Sequence, residues 1–509
     1  MIAFVILIFS VALYFYSTRN HNYWAQRGVK HDAPIPLFGN HFRNVFGIRS
    51  IIEISTELYN KYPEEKVVGY YRGATPELIV RDLDIAKTLL NVDFAYFYPR
   101  GLGRDTEPLL KNLFHADGDL WKLLRQRITP AFTTAKLKAM FPLVVNCAKK
   151  LQVVGVGIIE NGGECDVREL MARFTTEFIG ACGFGIEVDT INNEHSQFRE
   201  LGKTIFTRSN KAKILSGIWE LFPELRKVIY ITDNRLEVAI MEIVKSICDQ
   251  RNYKPSKRND FIDLLLELQT KGMIKGDSIE HRQADGSPVP VEMELDFQLL
   301  VAQVFIFFAA GFETSSSATS FTLHQLAFHP EIQENIQNEI DEVLAKHNNE
   351  LCFDSVAEMT KLANAFKEAM RMFPSLGVLH RVCAKKYTIP ELDITIDAGV
   401  KIQVPLQAIQ NDEKYFDNPI KFNPNRFDSA DSDRPSFAYL PFGSGPRMCV
   451  GARLGEMQSL AGLAALLHKF SVEPAANTKR ILEINHTSNV VQGINGGLPL
   501  KLKLRAKTR

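Results

Sequence analysis

The chain has 509 residues, 60 Lys+Arg against 59 Asp+Glu, 45% hydrophobic and 23% charged residues. So even a charge balance excludes a chain built to coat nucleic acid, and the ordinary apolar fraction excludes disorder as the main state. About 150 residues per domain would allow three domains, but 34 Phe against 3 Trp and 14 Tyr suggest a large apolar core enclosing something flat or apolar.

Residues 2–17 carry no charge, at the short end of the roughly 17–25 residues that span a bilayer. Nothing basic precedes the run, bulky Tyr14, Phe15 and Tyr16 stand where a cleavage site would lie, and Arg19, Arg27 and Lys30 follow it. The pattern predicts an uncleaved transmembrane anchor over 1–18 with the rest of the chain on the cytosolic side. A short span suits the thin bilayer of the endoplasmic reticulum. The Asn485-His486-Thr487 sequon would then go unused. Residues 19–40, with Pro34 and Pro36 before Gly39, read as a stiff linker with a proline-rich hinge. Residues 41–509 read as one domain.

Apolar spacing of three and four predicts helices over 51–62, 120–151, 234–250, 294–326, 331–346, 356–373 and 450–468. Short β-type runs lie within 67–80 and 387–404, and the polar stretch 270–292 reads as a surface loop. The fold class is mainly α, with a smaller β-rich subdomain. No strand–helix alternation supports a doubly wound sheet. Gln197 stands where a P-loop ending in Gly202-Lys203-Thr204 needs its first Gly, and there is no complete GxGxxG. Reducing equivalents must therefore come from a partner. The seven cysteines contain no CxxC pair, which excludes zinc-ribbon and thioredoxin-type motifs. They fit a reducing compartment, with one acting singly and the others as small buried apolar residues.

That one is Cys449, in Pro-Phe-Gly-Ser-Gly-Pro-Arg-Met-Cys-Val-Gly (441–451). Gly443 and Gly445 allow a tight loop whose N–H groups can point at a thiolate, and Gly451 lets the next helix approach a macrocycle. Arg447 can meet a propionate in a charge-assisted pair. This frame, with Phe442 seven residues before the Cys, resembles that of the cytochrome P-450 superfamily of haem-thiolate monooxygenases. Four further motifs follow the same resemblance in chain order. Trp121 and Arg125 share a helix face ahead of Arg-Ile-Thr-Pro-Ala-Phe (127–132) and would reach one propionate. Ala-Gly-Phe-Glu-Thr (310–314) would put Gly311 over the haem and use Glu313 and Thr314 to deliver protons. For Thr314 the plain alternative is a bond to the carbonyl four residues back. Glu313 has no evident partner in so apolar a helix. Glu368 and Arg371 would form a buried ion pair completed by Arg426 of Pro-Asn-Arg-Phe (424–427), where the family more often has Glu in place of Asn425. Arg381, after His380, matches a propionate-binding Arg.

The resemblance implies haem b with Cys449 as its thiolate axial ligand, which favours O–O cleavage. NADPH would be used through a partner, NADPH–cytochrome P-450 reductase, with cytochrome b5 as a further donor; membrane lipid and a lipophilic small molecule complete the partners, and nucleic acid is not among them. The pocket wall would include Phe114, His115, segment 305–310, Val378 and the loop near 490–493, with His115 not a metal ligand. Lys122, Arg127, Lys136, Lys138 and Arg453 would offer an acidic reductase a basic patch. Phrases such as Phe-Ile-Phe-Phe-Ala-Ala-Gly-Phe-Glu-Thr-Ser-Ser (305–316) look like the insect branch that oxidises foreign compounds. A dedicated hormone or steroid hydroxylase and a reductase-independent haem-thiolate isomerase are the alternative readings.

Overall fold

The computed structural model describes residues 1–505 apart from 105, 187, 194–195, 207–209, 228–229, 231–233, 259, 429–434 and 489. Helices of six residues or more are α1 (Ile2–Thr18), α2 (Ile51–Lys61), α3 (Gly118–Ile128), α4 (Thr134–Glu160), α5 (Val167–Ile179), α6 (Gln197–Phe206) and α7 (Asn210–Leu221). They continue as α8 (Asn234–Gln250), α9 (Phe261–Thr270), α10 (Phe297–Ala327), α11 (Pro330–Lys346), α12 (Phe353–Glu358), α13 (Thr360–Met372) and α14 (Ala452–Lys469).

The body is organised around α10. Its Asp296 cap accepts from Leu299 N at 2.7 Å, and most of its residues are buried, apolar ones in its first half and small hydroxyl residues among apolar ones in its second. α5, α13 and α14 pack around it. α4 and α10 are long and apolar enough to cross a membrane by length and composition, yet both pack against other helices of the body. α1 differs: of its 17 residues only Ser17 is buried.

A second, smaller core lies under a four-stranded sheet of β1 (Val67–Arg72), β2 (Thr75–Val80), β9 (Lys401–Val404) and β6 (Leu379–Val382), in that order. β2 and β9 run parallel and the other pairs antiparallel. β10 (Phe470–Pro474), β11 (Pro499–Leu504) and β3 (Glu164–Asp166) form a three-stranded sheet. β4 (Ile274–Arg282) with β5 (Pro288–Met293), and β7 (Tyr387–Ile389) with β8 (Ile394–Ile396), form two hairpins.

Four expectations need correction. The helix read over 120–151 is two helices, because Pro130 sits in a short 3-10 turn (Thr129–Phe132) that redirects the chain. The helix read over 356–373 divides at Met359, between α12 and α13. The loop read over 270–292 is the β4–β5 hairpin, laid against α3. Segment 19–40 is not a free spacer. Trp24 is fully buried in the sheet core, and its Nε1 donates to Tyr70 O at 3.2 Å. Gly69 must lack a side chain to admit it, since a Cβ there would stand 2.6 Å from the indole.

Candidate active site

Cys449 sits in a loop that glycine makes possible. Gly443 and Gly445 both have φ +73°, a conformation that side chains disfavour. At Gly445 a Cβ would also stand 2.1 Å from Leu90 O, so this loop can rest on residues 88–92 only if position 445 is bare. Cys449 N donates to Phe442 O and Met448 N to Gly445 O, each at 2.9 Å. Phe442 itself is half-buried against the main core. The Cys449 side chain keeps accessible surface although protein encloses it, as expected of a residue lining an internal cleft. Enclosure pushes its thiol up, while the Gly451 N–H bond and the Arg100 and Arg125 charges favour the thiolate. A Cβ at Gly451 would meet Phe132 at an ordinary 3.6 Å.

The second component is a cluster of arginines. Arg447 is 2% exposed. Its Nε donates to Tyr98 O at 2.9 Å, Nη1 to Ala116 O at 2.8 Å and Nη2 to Asp117 Oδ1 at 2.8 Å. Its guanidinium lies 4.1 Å from the Trp121 ring centroid. Arg100 Nη2 donates to Arg447 O and Nη1 to Phe114 O, both at 2.9 Å, and Arg100 N donates to Asp117 Oδ1 at 2.7 Å. Arg381 Nη1 donates to His380 O at 2.7 Å, whereas its Nε is buried without a partner. Burial, and then the Arg100 charge, push Arg447 down to about 8 and Arg381 to about 9; burial pushes Arg100 down to about 10. Among the described residues, Asp117 is the one carboxylate bonded to this cluster. Three guanidinium groups against one carboxylate leave a buried excess of positive charge.

Arg125, one turn after Trp121, donates from Nη1 to Met448 O at 2.7 Å and so braces the residue before Cys449. A flat group with two carboxylates and a metal that takes a thiolate fits this donor set. The carboxylates would satisfy the orphaned Arg381 Nε and offset the excess charge, and the metal would take the sulfur that Gly451 already supports.

α10 supplies the third component. It is tied to α14 by Gln458 Nε2 donating to Ser315 Oγ at 2.7 Å, and α14 begins just after Cys449. Ile306, Ala310 and Thr314, at spacings of four, retain accessible surface, which marks one wall of the cleft, while Phe307, also partly exposed, faces Phe132 and Phe261 on another side. Thr314 Oγ1 donates to Ala310 O at 2.7 Å, and Ser375 Oγ donates to Thr314 O at 3.1 Å. Two expectations change here. Gly311 does not open space over the cleft: a Cβ there would stand 2.2 Å from Ile179 Cδ1, so the glycine serves the close approach of α5 to α10. Glu313 is not without a partner, because that approach brings Arg168 Nη2 to 2.5 Å from Glu313 Oε1.

Glu368, Arg371 and Arg426 come together away from the cleft. Arg371 meets both Glu368 oxygens, at 2.7 and 2.9 Å, and Arg426 Nε donates to Glu368 Oε1 at 3.0 Å. Phe114 lies 4.5 Å under the Arg100 guanidinium. His115 Nδ1 is 3.0 Å from Asn112 Oδ1, and burial, helped by Arg104 and Arg100, pushes its imidazole down to about 3. Val378 packs with Ile51, Ile52 and Ile54 of α2 and with Val68, Tyr70 and Ile79 of the sheet.

The sequence reading missed Arg100, Asp117, Arg168 and Gln303. Asp117 offered one signal: it holds the N-cap position of α3 but makes no side-chain cap bond, its carboxylate serving Arg100, Gly101 and Arg447 instead. Gln303 is fully buried, accepts from Leu113 N at 2.9 Å and donates to Lys111 O at 3.2 Å. It fixes the segment carrying Phe114 and His115 to α10.

The family model described as Cytochrome P450 matches residues 30–498. The chain belongs to the cytochrome P450 family. It is 36% identical over 499 residues to "Cytochrome P450 6B2" of Helicoverpa armigera, covering 98% of this chain and 97% of that one. It is 37% identical over 518 residues to "Cytochrome P450 6a2" of Drosophila melanogaster, covering 99% of each. "Cytochrome P450 6B5" of Papilio glaucus is 37% identical, over 92% of this chain and 96% of that one. These insect relatives agree with the insect-branch resemblance. This cytochrome P450 is a monooxygenase with the mainly helical fold of its family, and membership implies haem held by a Cys thiolate.

Proposed function

We propose that this cytochrome P450 uses NADPH through a partner reductase to oxidise lipophilic foreign compounds, such as plant toxins or insecticides, at the endoplasmic reticulum membrane. The observation that carries the reading is Cys449 in its glycine loop, with Gly451 N–H on the sulfur, beside the arginine excess around Asp117. Cys449 would hold the haem iron. Arg381, Arg447, Arg125 and Trp121, with Arg100, would hold the propionate side. Bound there, haem supplies the activation of dioxygen and the transfer of one oxygen atom to substrate.

The chain's own residues do the rest. Gly451 N–H and the guanidinium charges favour the Cys449 thiolate against the enclosure that raises its thiol, and the iron would hold the sulfur in that form. Ile306, Ala310 and Phe114 give an apolar wall that favours lipophilic substrates and excludes water. His115 stays neutral in the working pH range and places no charge beside the substrate. Thr314 Oγ1, anchored on Ala310 O, keeps its lone pairs free to hold a water that carries a proton, and the Glu313 carboxylate, steadied by Arg168, forms the far end of that relay.

The body's electrons come from outside, across a face bearing Lys122, Arg127, Lys136, Lys138 and Arg453. Lys138 already pairs with Asp354 at 2.7 Å, so its charge is the most screened of these. Uncharged α1, with Phe4, Phe9 and Phe15 each about two-thirds exposed, is the membrane anchor, and the basic residues after it keep the body cytosolic. Reconstitution in lipid vesicles with NADPH–cytochrome P450 reductase and a panel of lipophilic compounds tests this reading. Substrate-dependent NADPH consumption with oxygenated product is expected. Turnover undiminished without NADPH and reductase would replace it with the isomerase reading.

A further inference from the structure

Outside the cleft, one cluster of nucleophilic and titratable side chains has the geometry of an activated thiol. Cys352 lies in the turn between α11 and α12. Asn348 and Asn349 in that turn have φ +56° and +59°, a conformation asparagine tolerates. They fold the chain back so that His347 returns over the sulfur. His347 Nδ1 is 3.8 Å from Cys352 Sγ, and His347 Nε2 is 3.0 Å from Glu358 Oε1. Ser355 N donates to the same sulfur at 3.3 Å. A nucleophile, a base within reach of it and a carboxylate orienting that base form the recurring arrangement of reactive thiols.

We infer that Cys352 is a base-activated surface thiol and the site at which small disulfide oxidants, with glutathione disulfide as the type case, modify this protein.

His347 Nδ1 takes the thiol proton, and Glu358 stabilises the imidazolium. The Cys352 thiolate attacks one sulfur of the disulfide. The disulfide S–S bond breaks as the Cys352–glutathione S–S bond forms. Cys352 is oxidised, and the second glutathione leaves reduced, as a thiolate that recovers the proton from His347. The base is reachable from solvent, since the His347 and Glu358 side chains are 24% and 49% exposed, and Cys352 is partly exposed. The six remaining thiols are disfavoured. Burial pushes Cys147 and Cys165 up to about 12 and Cys248 and Cys383 to about 11, holds Cys182 well above its ordinary value, and raises Cys449, which the haem iron would occupy.

The test uses the full-length, haem-loaded protein and glutathione disulfide. Peptide mass spectrometry follows adduct formation at each cysteine against time and pH. Cys352 is expected to react first. His347→Asn should slow that reaction about tenfold at pH 7 and move its pH profile to more alkaline values, because only the thiolate attacks. Glu358→Gln should slow it less, in the same direction. Haem content should be unchanged in both variants; if His347→Asn loses haem, Glu358→Gln, altered at a half-exposed side chain, decides. First reaction at another cysteine, or equal Cys352 rates in the parent and the deciding variant, would overturn the inference.

Discussion

At Gly443 and Gly445 the same backbone angle has two different consequences. Both positions disfavour a side chain by about 1–2 kcal/mol through φ alone. A Cβ at Gly443 meets nothing closer than Leu379 at 3.8 Å, whereas at Gly445 it would strike the backbone carbonyl of Leu90. Gly443→Ala should therefore lose only that increment and keep its haem. Gly445→Ala should lose the loop's seat on residues 88–92 and hold little haem. Haem per chain and urea midpoints measure both, and equal losses would show that the carbonyl contact is immaterial.

Thr314 allows a comparable separation of roles. Its hydroxyl is bonded to Ala310 O, an ordinary habit of helical threonine, and only its lone pairs remain for a proton-carrying water. Thr314→Ala should consume NADPH and oxygen but yield more peroxide and less product, while substrate affinity changes little. A product-to-NADPH ratio equal to the parent's would leave the hydroxyl a helix bond and nothing more.

At the scale of elements, the Glu368 carboxylate joins α13 to the segment that carries Arg426. Glu368 and Arg371 are both fully buried, and Arg371 also donates to Gln410 O and Pro419 O. Glu368→Gln removes the charge that two guanidinium groups share. The expected cost is about 3–5 kcal/mol, seen as a lowered urea midpoint and a larger share of protein without haem; a loss below about 1 kcal/mol would mean the Gln410 and Pro419 carbonyls suffice.

The elements also show where sequence periodicity stops informing. The division between α3 and α4 was hidden because apolar spacing of three and four continues through the 3-10 turn at Pro130. α5 was missed because its apolar positions are interrupted by Thr175, Thr176 and Glu177, polar residues that the fold nevertheless buries. The β4–β5 hairpin read as a loop because most of its residues face solvent on both sides, so the period-two alternation of a half-buried strand never develops.

For the molecule as a whole, stability should fall in acid. His115 is pushed down to about 3 by burial, then by Arg104 and Arg100. Between that value and the ordinary 6.5 or so, the unfolded chain binds a proton that the folded chain refuses, so stability declines as pH falls through this window. The contribution is on the order of 2 kcal/mol between pH 7 and pH 5. His115→Gln should flatten the fall in urea midpoint over that range, and an unchanged slope would assign it to other groups.

The candidate site was legible where its parts are local. The Cys449 loop, the Trp121–Arg125 pair and the 310–314 turn of α10 each lie within eleven residues of sequence. Of the arginine cluster, Arg447 and Arg381 were named through the resemblance, but Arg100 and Asp117 were not, because Asp117 meets Arg447 across 330 residues and Arg100 across 17. Only the fold creates that juxtaposition. The same holds for Arg168 and Glu313, which are 145 residues apart.

On the proposed reading the cleft binds haem through the Cys449 thiolate, and one spectrum tests this directly. The reduced, carbon monoxide-bound protein should show the strongly red-shifted Soret band that a thiolate ligand produces. Cys449→His should lose that band together with monooxygenase activity, even where haem is retained. A normal red-shifted band in Cys449→His would contradict the assignment of Cys449 and, with it, the reading of the loop, the arginines and α10 as one site.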